Sequence, residues 1–181
     1  MNPDSDRIAA ARTLLFVPGD RPDRFAKAAS SGADLVIIDL EDAVAPGDKD
    51  HARDNAAAWL ALGNRAVVRI NPPETPWYDA DLAAVTEYGC PVMVPKAEAP
   101  VLLADIAACC TLVPLVETAL GIERAHEVCA VPGVVRAAFD NVDLATQLGV
   151  AHDDHSRAQD VVASERHRHS RSRRGVGRIG P

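Results

Sequence analysis

Hydrophobic residues occur in this chain as short unbroken runs that end at polar or charged residues. The run at residues 35–44, LVIIDLEDAV, begins with four β-branched or leucine residues and stops at a group of carboxylates. Four such residues in succession predict a strand that is buried on both faces, as in a parallel sheet covered by helices. Runs of the same kind lie at residues 13–18, 65–70, 91–95, 112–116 and 134–139.

Segments between these runs have helical length, and most of them are rich in alanine. After a polar leader, we predict helices at residues 22–31, 51–62, 79–88 and 101–108, and shorter ones at 144–150 and 153–165. Asp20 is a plausible N-cap of the first helix, with Pro22 in its first turn. Strands that alternate with helices predict a parallel α/β fold, because each parallel pair needs a crossover connection.

Two architectures fit this repeat, an open doubly wound sheet and a TIM-type (β/α)8 barrel. A barrel takes about 250 residues in eight units. The six predicted units are used up by about residue 140, so a barrel in this chain would be incomplete, with about six β/α units. We expect residues 1–155 to form this partial catalytic barrel domain.

Composition favours one domain with an aliphatic core. The chain has 181 residues, of which 48% are hydrophobic and only 4% aromatic, and its formal charge is −7. The charge is uneven: residues 1–164 carry 13 basic and 25 acidic residues, net −12, whereas residues 165–181 carry six and one, net +5. We therefore interpret residues 156–181 as a separate, basic, Arg/His/Ser-rich tail.

The tail has no apolar periodicity and is a poor barrel strand. A nucleic-acid-binding tail is one interpretation, but the rest of the chain is acidic and offers no basic or aromatic surface to support it, so we expect no nucleic-acid partner. Metal capture by the four histidines between His152 and His169 is another. We favour a disordered or misread end.

Cysteine usage and hydropathy bear on localisation. The four cysteines lack CxxC spacing, and the adjacent pair Cys109 and Cys110 suits a disulfide framework poorly. No apolar run reaches 18 residues, and the first residues lack a signal-peptide pattern. We expect a reduced cytoplasmic protein without a membrane span.

Charged or polar residues follow every predicted strand from the second onward. They are Asp39, Glu41 and Asp42, then Arg69 and Asn71, then Lys96 and Glu98, then Glu117, and finally Asp140 and Asp143. Functional groups of parallel α/β folds lie just past the carboxyl ends of the strands, so these side chains are expected to converge on one rim. Each acid alone is also explained as a helix cap. Their recurrence after five strands favours a site.

A rim with more carboxylates than cations suits a hard divalent cation, Mg²⁺ above all. We predict Glu117 and Asp143 as metal ligands, because two carboxylates leave positions open for substrate oxygens. Glu41 and Asp42 would then hold water around the ion.

The two rim cations have alternative roles. Arg69 presents a fork of donors that suits a substrate carboxylate, or it pairs with a neighbouring acid. Lys96 is either a Schiff-base lysine or, as we favour, an ion-pair or substrate contact, because nearby acids would keep it charged. Mg²⁺ with an arginine suits cleavage of a carbon–carbon bond beside a carbonyl, where the metal stabilises a developing enolate or alkoxide.

Short motifs run in order through residues 12–150. They are LFVPG at 15–19, RFAKA at 24–28, DLEDAV at 39–44, VRIN at 68–71, PKAE at 95–98, VETA at 116–119 and DLA at 143–145. Together they resemble the citrate lyase β-subunit-like family of the HpcH/HpaI aldolases. The resemblance implies an incomplete TIM barrel, Mg²⁺ dependence, a homotrimer and a carbon–carbon lyase. Its substrate would be a short acyl-CoA ester of the citryl-CoA, malyl-CoA or citramalyl-CoA type, cleaved to an acyl-CoA and a 2-oxo acid.

The resemblance also implies roles for individual residues. Glu117 and Asp143 match the metal ligands, Arg69 matches the arginine that binds the substrate carboxylate, and Glu41 with Asp42 match the water-mediated metal shell. Phe16, Arg24 and Lys27 lie where the family contacts CoA.

Two departures from the family pattern stand out. Asp140 replaces the glycine of a Phe-Gly-x-x-Asp turn that brings backbone amides against the substrate, and its side chain and charge would crowd or repel an anionic oxo acid. The last two barrel strands are also absent, and the resemblance fades after about residue 155, which we interpret as out-of-frame translation or a truncated gene copy. Two alternatives to the acyl-CoA lyase therefore stay open: an aldolase on free 2-oxo or hydroxy acids, and a non-catalytic remnant with open sheet edges.

Overall fold

The computed structural model describes residues 3–151, and their six strands form one parallel sheet. The strands are β1 (Leu14–Pro18), β2 (Leu35–Asp39), β3 (Val67–Arg69), β4 (Val92–Val94), β5 (Leu112–Val116) and β6 (Ala138–Phe139). Each pairs only with its neighbours in sequence, in the order 1-2-3-4-5-6. A doubly wound sheet reverses its strand order at a switch point, so this order excludes that alternative. The fold is an incomplete TIM-type α/β barrel, as predicted.

Helices lie before, between and after the strands; those between the strands cover the outer face of the sheet, whereas the helix before β1 places Ile8 in a cluster with Ile37 and Val67 on the opposite face. The helices are α1 (Pro3–Ala10), α2 (Phe25–Ala29), α3 (Lys49–Ala61), α4 (Tyr78–Glu87), α5 (Pro100–Ala107), α6 (Ala119–Glu123), α7 (Ala125–Cys129) and α8 (Asn141–Leu148). The helices predicted at 51–62, 79–88 and 101–108 are confirmed to within two residues. Among the described residues, no helix has the length and apolar character needed to cross a membrane.

The structure differs from the sequence prediction in several places, among them the short helices α6 and α7, which were not predicted. The leader forms α1, and the helix predicted at 22–31 is a 3-10 turn, Pro22–Arg24, followed by the short α2. Arg21, not Asp20, occupies the N-cap of that turn. The strand predicted at 134–139 is reduced to β6 and an isolated bridge from Val134 to Leu112. The helix predicted at 153–165 and the basic tail lie outside the described residues.

The core has two layers separated by the sheet. Within β2, Leu35 and Ile37 belong to an inner cluster, whereas Val36 and Ile38 belong to the outer cluster under the helices. Alternate strand residues point to opposite faces, and all five residues of β2 are buried. The unbroken apolar run in the sequence is therefore explained by burial on both faces.

The inner rows of the sheet lead directly to the charged rim. Four apolar residues belong to the inner cluster or pack against it: Ile37, Val67, Leu115 and Ala138. Two positions after each of them stands a polar residue of the rim, namely Asp39, Arg69, Glu117 and Asp140. Residues two apart share a face of a strand. The same alternation that fills the barrel interior therefore continues as polar side chains at its carboxyl end.

Candidate active site

A buried ion pair shapes the turn after β2. Arg69 Nε donates to Asp39 Oδ1 at 2.7 Å, and Arg69 Nη2 donates to Asp39 Oδ2. The same carboxylate accepts the backbone N–H groups of Glu41 at 2.8 Å and Ala43 at 3.2 Å. Burial opposes the charge of Arg69, but its hydrogen bonds to Asp39 together with the charges of Asp39, Glu41 and Asp42 outweigh burial and raise its pKa. Arg69 thus pairs with a rim acid, which is the alternative that the sequence left open.

Glu41 lies inside the site and Asp42 lies at its edge. Glu41 Oε2 is 3.1 Å from Arg69 Nη1, and Glu41 Oε1 accepts a short hydrogen bond from Lys96 Nζ. Burial raises the pKa of Glu41, against the lowering effect of Lys96 and Arg69. The Asp42 side chain is 59% exposed, and its Oδ2 is 3.9 Å from Arg69 Nη1. Of the two residues predicted to hold water around a metal, Glu41 is therefore the more enclosed.

Lys96 joins Glu41 to Glu117. Its backbone has a positive φ of 49°, a left-handed conformation uncommon for a residue with a side chain. The Lys96 N–H donates to Glu117 Oε1 at 2.8 Å, and Lys96 Nζ is 3.7 Å from the same oxygen. Burial disfavours the ammonium, but the hydrogen bond to Glu41 together with the charges of Glu41, Glu117 and Asp42 outweighs burial and raises the pKa of Lys96. A charged amine in an ion pair matches the favoured interpretation over a Schiff-base lysine.

Three carboxylates gather next to this pair. Glu117, Asp140 and Asp143 each place one oxygen within 4.8 Å of the others. Glu117 is only 2% exposed, and burial, with a smaller contribution from the charge of Glu41, raises its pKa to about 7. Among the described residues, Glu117 Oε2 is a buried oxygen with no hydrogen-bond partner.

The donor set fits a hard divalent cation. A buried carboxylate oxygen without a partner is costly, and a cation would supply that partner. Oxygen ligands alone suit Mg²⁺, Mn²⁺ or Ca²⁺ better than zinc, which favours nitrogen and sulfur. The two predicted ligands, Glu117 and Asp143, are thus brought together, and Asp140 stands beside them.

Asp140 also caps α8. Its Oδ1 accepts the N–H groups of Val142 at 2.8 Å and Asp143 at 3.3 Å. These amides lie at the start of a helix, where backbone donors commonly bind an anion. In this chain a side chain already satisfies them. The sequence placed Asp140 at the rim, with a helix cap as the alternative for each acid, and the family pattern marked its side chain as an obstruction; the structure shows the cap and a place beside Glu117 and Asp143.

The predicted CoA contacts divide into two groups. The Arg69 guanidinium carbon lies 5.2 Å from the ring centre of Phe16, which is 43% exposed in the middle of β1. Arg24 and Lys27 are exposed on the 3-10 turn and on α2, after β1. Phe16 therefore adjoins the charged site, while the two cations lie on the segment that follows it.

Sequence reasoning missed the residues that support the β2 turn from behind. Lys49 Nζ donates to the carbonyl oxygens of Leu40 at 2.8 Å and Glu41 at 2.6 Å. Asn71 Nδ2 also donates to Leu40 O, at 2.9 Å, and to Asp81 Oδ2 at 2.7 Å. Asp81 is fully buried although it is charged. Asp81, an acid within the apolar face of α4, was the sequence feature that would have identified the residues behind the β2 turn.

This fold and this site define the class of barrel-type α/β proteins that carry a carboxylate-rich centre at the carboxyl ends of their strands. The HpcH/HpaI aldolase/citrate lyase family model matches residues 12–177, so the chain belongs to that family. The match reaches beyond residue 155, farther than the sequence motifs led us to expect.

Three similar proteins illustrate the relationship. A citrate lyase subunit beta-like protein of Mycobacterium tuberculosis is 40% identical over 166 residues, covering 91% of this chain and 59% of that relative. A (3S)-malyl-CoA thioesterase of Cereibacter sphaeroides is 36% identical, covering 76% of this chain and 51% of the relative. The crystal structure of CitE from M. tuberculosis with magnesium, acetoacetate and coenzyme A has a TM-score of 0.71 and 36% identity, covering 86% of this chain and 61% of that one. The chain thus spans between half and two thirds of the length of these proteins.

Proposed function

We propose that this chain carries the metal and substrate site of a Mg²⁺-dependent carbon–carbon lyase. Its substrate would be a short acyl-CoA ester of the citryl-CoA, malyl-CoA or citramalyl-CoA type, and its products an acyl-CoA and a 2-oxo acid. The observation that carries the proposal is the buried, unpartnered Oε2 of Glu117 beside the carboxylates of Asp140 and Asp143. The magnesium and CoA in the CitE complex support the same reading.

Glu117 and Asp143 would hold the cation. When bound, Mg²⁺ polarises the carbonyl oxygen of the substrate and stabilises the negative charge that develops as the carbon–carbon bond breaks. Glu41 and Asp42 would hold water next to it, and burial raises the pKa of Glu41, which favours a group that takes up and releases a proton.

Arg69 would bind the acid end of the substrate, and Phe16, whose ring centre lies 5.2 Å from the Arg69 guanidinium carbon, would contact CoA. A guanidinium has five N–H groups, of which Asp39 takes two. Of the remaining donors, Nη1 lies 3.1 Å from Glu41 Oε2, so a substrate carboxylate would share the guanidinium with Asp39 and Glu41. Arg24 and Lys27 are exposed cations on the segment after β1 and would attract the phosphates of CoA, with Lys96 near the reacting end.

Two other reactions compete with this proposal. The Cereibacter relative is named a malyl-CoA thioesterase, and a thioesterase would release free CoA and an intact hydroxy acid. An aldolase of the same family would cleave free 2-oxo or hydroxy acids without CoA. A third possibility, a non-catalytic remnant of the lyase, follows from the open edges of β1 and β6 among the described residues.

Product analysis separates these outcomes. The full-length chain, freed of metal with EDTA, is incubated with malyl-CoA, citramalyl-CoA or citryl-CoA in the presence and absence of Mg²⁺, and acyl-CoA, free CoA and 2-oxo acid are measured by chromatography. We expect acyl-CoA and 2-oxo acid only with Mg²⁺, and none from Glu117→Gln. Free CoA as the main product would overturn the lyase in favour of a thioesterase.

The CoA requirement and the assembly are tested separately. CoA should raise the melting temperature in the presence of Mg²⁺, whereas stabilisation by free 2-oxo acids alone would favour the aldolase. A chain that neither turns over nor responds to CoA would favour the remnant. We also propose a homotrimer, which light scattering after size-exclusion chromatography would detect as three times the monomer mass.

A further inference from the structure

We propose that Asp140 is a third carboxylate ligand of the metal site, in addition to Glu117 and Asp143. This inference rests on the proposed function, because it concerns the same cation. It assigns a ligand role to a residue that the sequence comparison marked as an obstruction.

The backbone brings Asp140 into the cluster. Ala138 in β6 packs against the inner cluster, and Asp140 follows it by two positions, on the same face of the chain. A carboxylate oxygen of Asp140 accordingly lies within 4.8 Å of ligand atoms from both other acids. Asp140 and Asp143 are partly buried, and Glu117, the third member of the cluster, has a buried oxygen, Oε2, with no hydrogen-bond partner among the described residues.

Capping fixes the orientation of Asp140 before any cation binds. Within residues 3–151, the Asp140 side chain accepts two hydrogen bonds, and Oδ1 is the acceptor in both. The other oxygen, Oδ2, is left for a cation. A ligand whose rotamer is already held loses little conformational entropy on binding, which favours affinity.

A third carboxylate changes the charge of the site. Three carboxylates exceed the charge of a divalent cation by one, whereas two balance it. We therefore expect tighter metal binding than a two-carboxylate site allows, and weaker attraction for an anionic 2-oxo acid. Both effects depend on the charge of Asp140, not on its bulk.

The test uses substitutions that keep the cap and remove the charge. Asparagine caps helices as well as aspartate does, so Asp140→Asn preserves an Oδ1 acceptor for α8 and replaces Oδ2 with an amide nitrogen, which cannot bind a cation. Asp54→Asn, at an exposed position in α3, is the charge-matched control. Metal binding to the full-length chain is measured by electron paramagnetic resonance of Mn²⁺, with Mg²⁺ as competitor. Thermal melts in EDTA establish that each variant folds.

We expect Asp140→Asn to weaken Mn²⁺ and Mg²⁺ binding by at least about tenfold, since even residues behind the ligands contribute that much. Asp54→Asn should leave it unchanged. Pyruvate or oxaloacetate should stabilise the Mg²⁺-saturated Asp140→Asn variant more than the unsubstituted chain. Metal affinity that is unchanged in Asp140→Asn but lost in Glu117→Gln would overturn the role of Asp140 and leave the site intact. Affinity unchanged in both variants would overturn the site itself.

Discussion

Arg69 binds Asp39 through two parallel hydrogen bonds across the boundary between β2 and β3, and Asp39 in turn holds the backbone of the turn that carries Glu41. The two residues are aligned in the register of the sheet. The pair is buried, so its geometry is fixed by the barrel interior and not by solvent. Arg69 therefore connects the core of the sheet to the position of the site acids.

Removing this arginine should be costly. Arg69→Ala leaves Asp39 as a buried carboxylate without its cation, while Glu41 keeps Lys96, and breaking a buried pair in this way costs about 3–5 kcal/mol. The free energy of unfolding in urea measures the loss. In a double-mutant cycle, Arg69→Ala combined with Asp39→Ala should cost clearly less than the two single changes together, because the double variant has no orphaned Asp39. If the double substitution cost as much as the two single substitutions added together, Arg69 and Asp39 would not be coupled.

The buried Glu117 predicts how the metal-free protein responds to pH. Burial raises the pKa of Glu117 from its ordinary 4.5 to about 7, so the folded chain favours the protonated form. Stability from this group is fully present below about pH 4.5 and is lost as pH rises to about 7. The loss is roughly 2–3 kcal/mol.

Glu117→Gln isolates this effect. In EDTA, the variant should gain stability relative to the unsubstituted chain between pH 5 and pH 8, because glutamine does not ionise. Glu127→Gln, at an exposed position in α7, should show no such trend. Urea unfolding at the two pH values measures both. If the stability gained by Glu117→Gln became smaller as pH rises, the raised pKa of Glu117 would be contradicted.

Much of this site was predictable because the sequence shows both the apolar runs that form the strands and the charged residues that follow them. The runs before Asp39, Glu117 and Asp143 identified the strands, and their parallel order located the acids at one rim. The supports behind the turn were not predictable in the same way. Lys49 lies at the start of α3 and reaches the carbonyl groups of the turn only through the packing of that helix against the sheet. Asp140 was also placed at the rim, but the family motif describes residue types and not the face on which a side chain lies, so it gave no sign that Asp140 lies beside Glu117 and Asp143.

Lys49 is expected to stabilise the turn through its two carbonyl contacts. Lys49→Met keeps the length of the aliphatic stem but leaves Glu41 O without this donor, while Leu40 O keeps Asn71. An unsatisfied buried carbonyl costs about 1–3 kcal/mol. Lys27→Met is the matched control, since Lys27 is exposed on α2 and surface changes stay within about 0.5 kcal/mol. Equal effects of the two substitutions in urea unfolding would contradict the role of Lys49.

Gly19 should tolerate no side chain because it lies against the turn that carries the acids. Its N–H donates to Asp39 O at 2.8 Å. A Cβ at Gly19 would meet Leu40 Cδ2 at 2.8 Å, and both Ala52 Cβ and Asp39 O at 3.0 Å. The carbonyl oxygen belongs to the backbone and cannot move alone, so Gly19→Ala must separate the end of β1 from the β2 turn. We expect a cost of about 1–3 kcal/mol, the usual range for overpacking.

Gly47 supplies the comparison for the same substitution. A Cβ there meets nothing within 4 Å, and its φ is not positive. Gly47→Ala should therefore be neutral or stabilise the chain by up to about 1 kcal/mol, because alanine restricts the unfolded state. Urea unfolding of both variants measures the difference. If Gly19→Ala were as stable as Gly47→Ala, the close approach between β1 and the turn after β2 would not constrain the site.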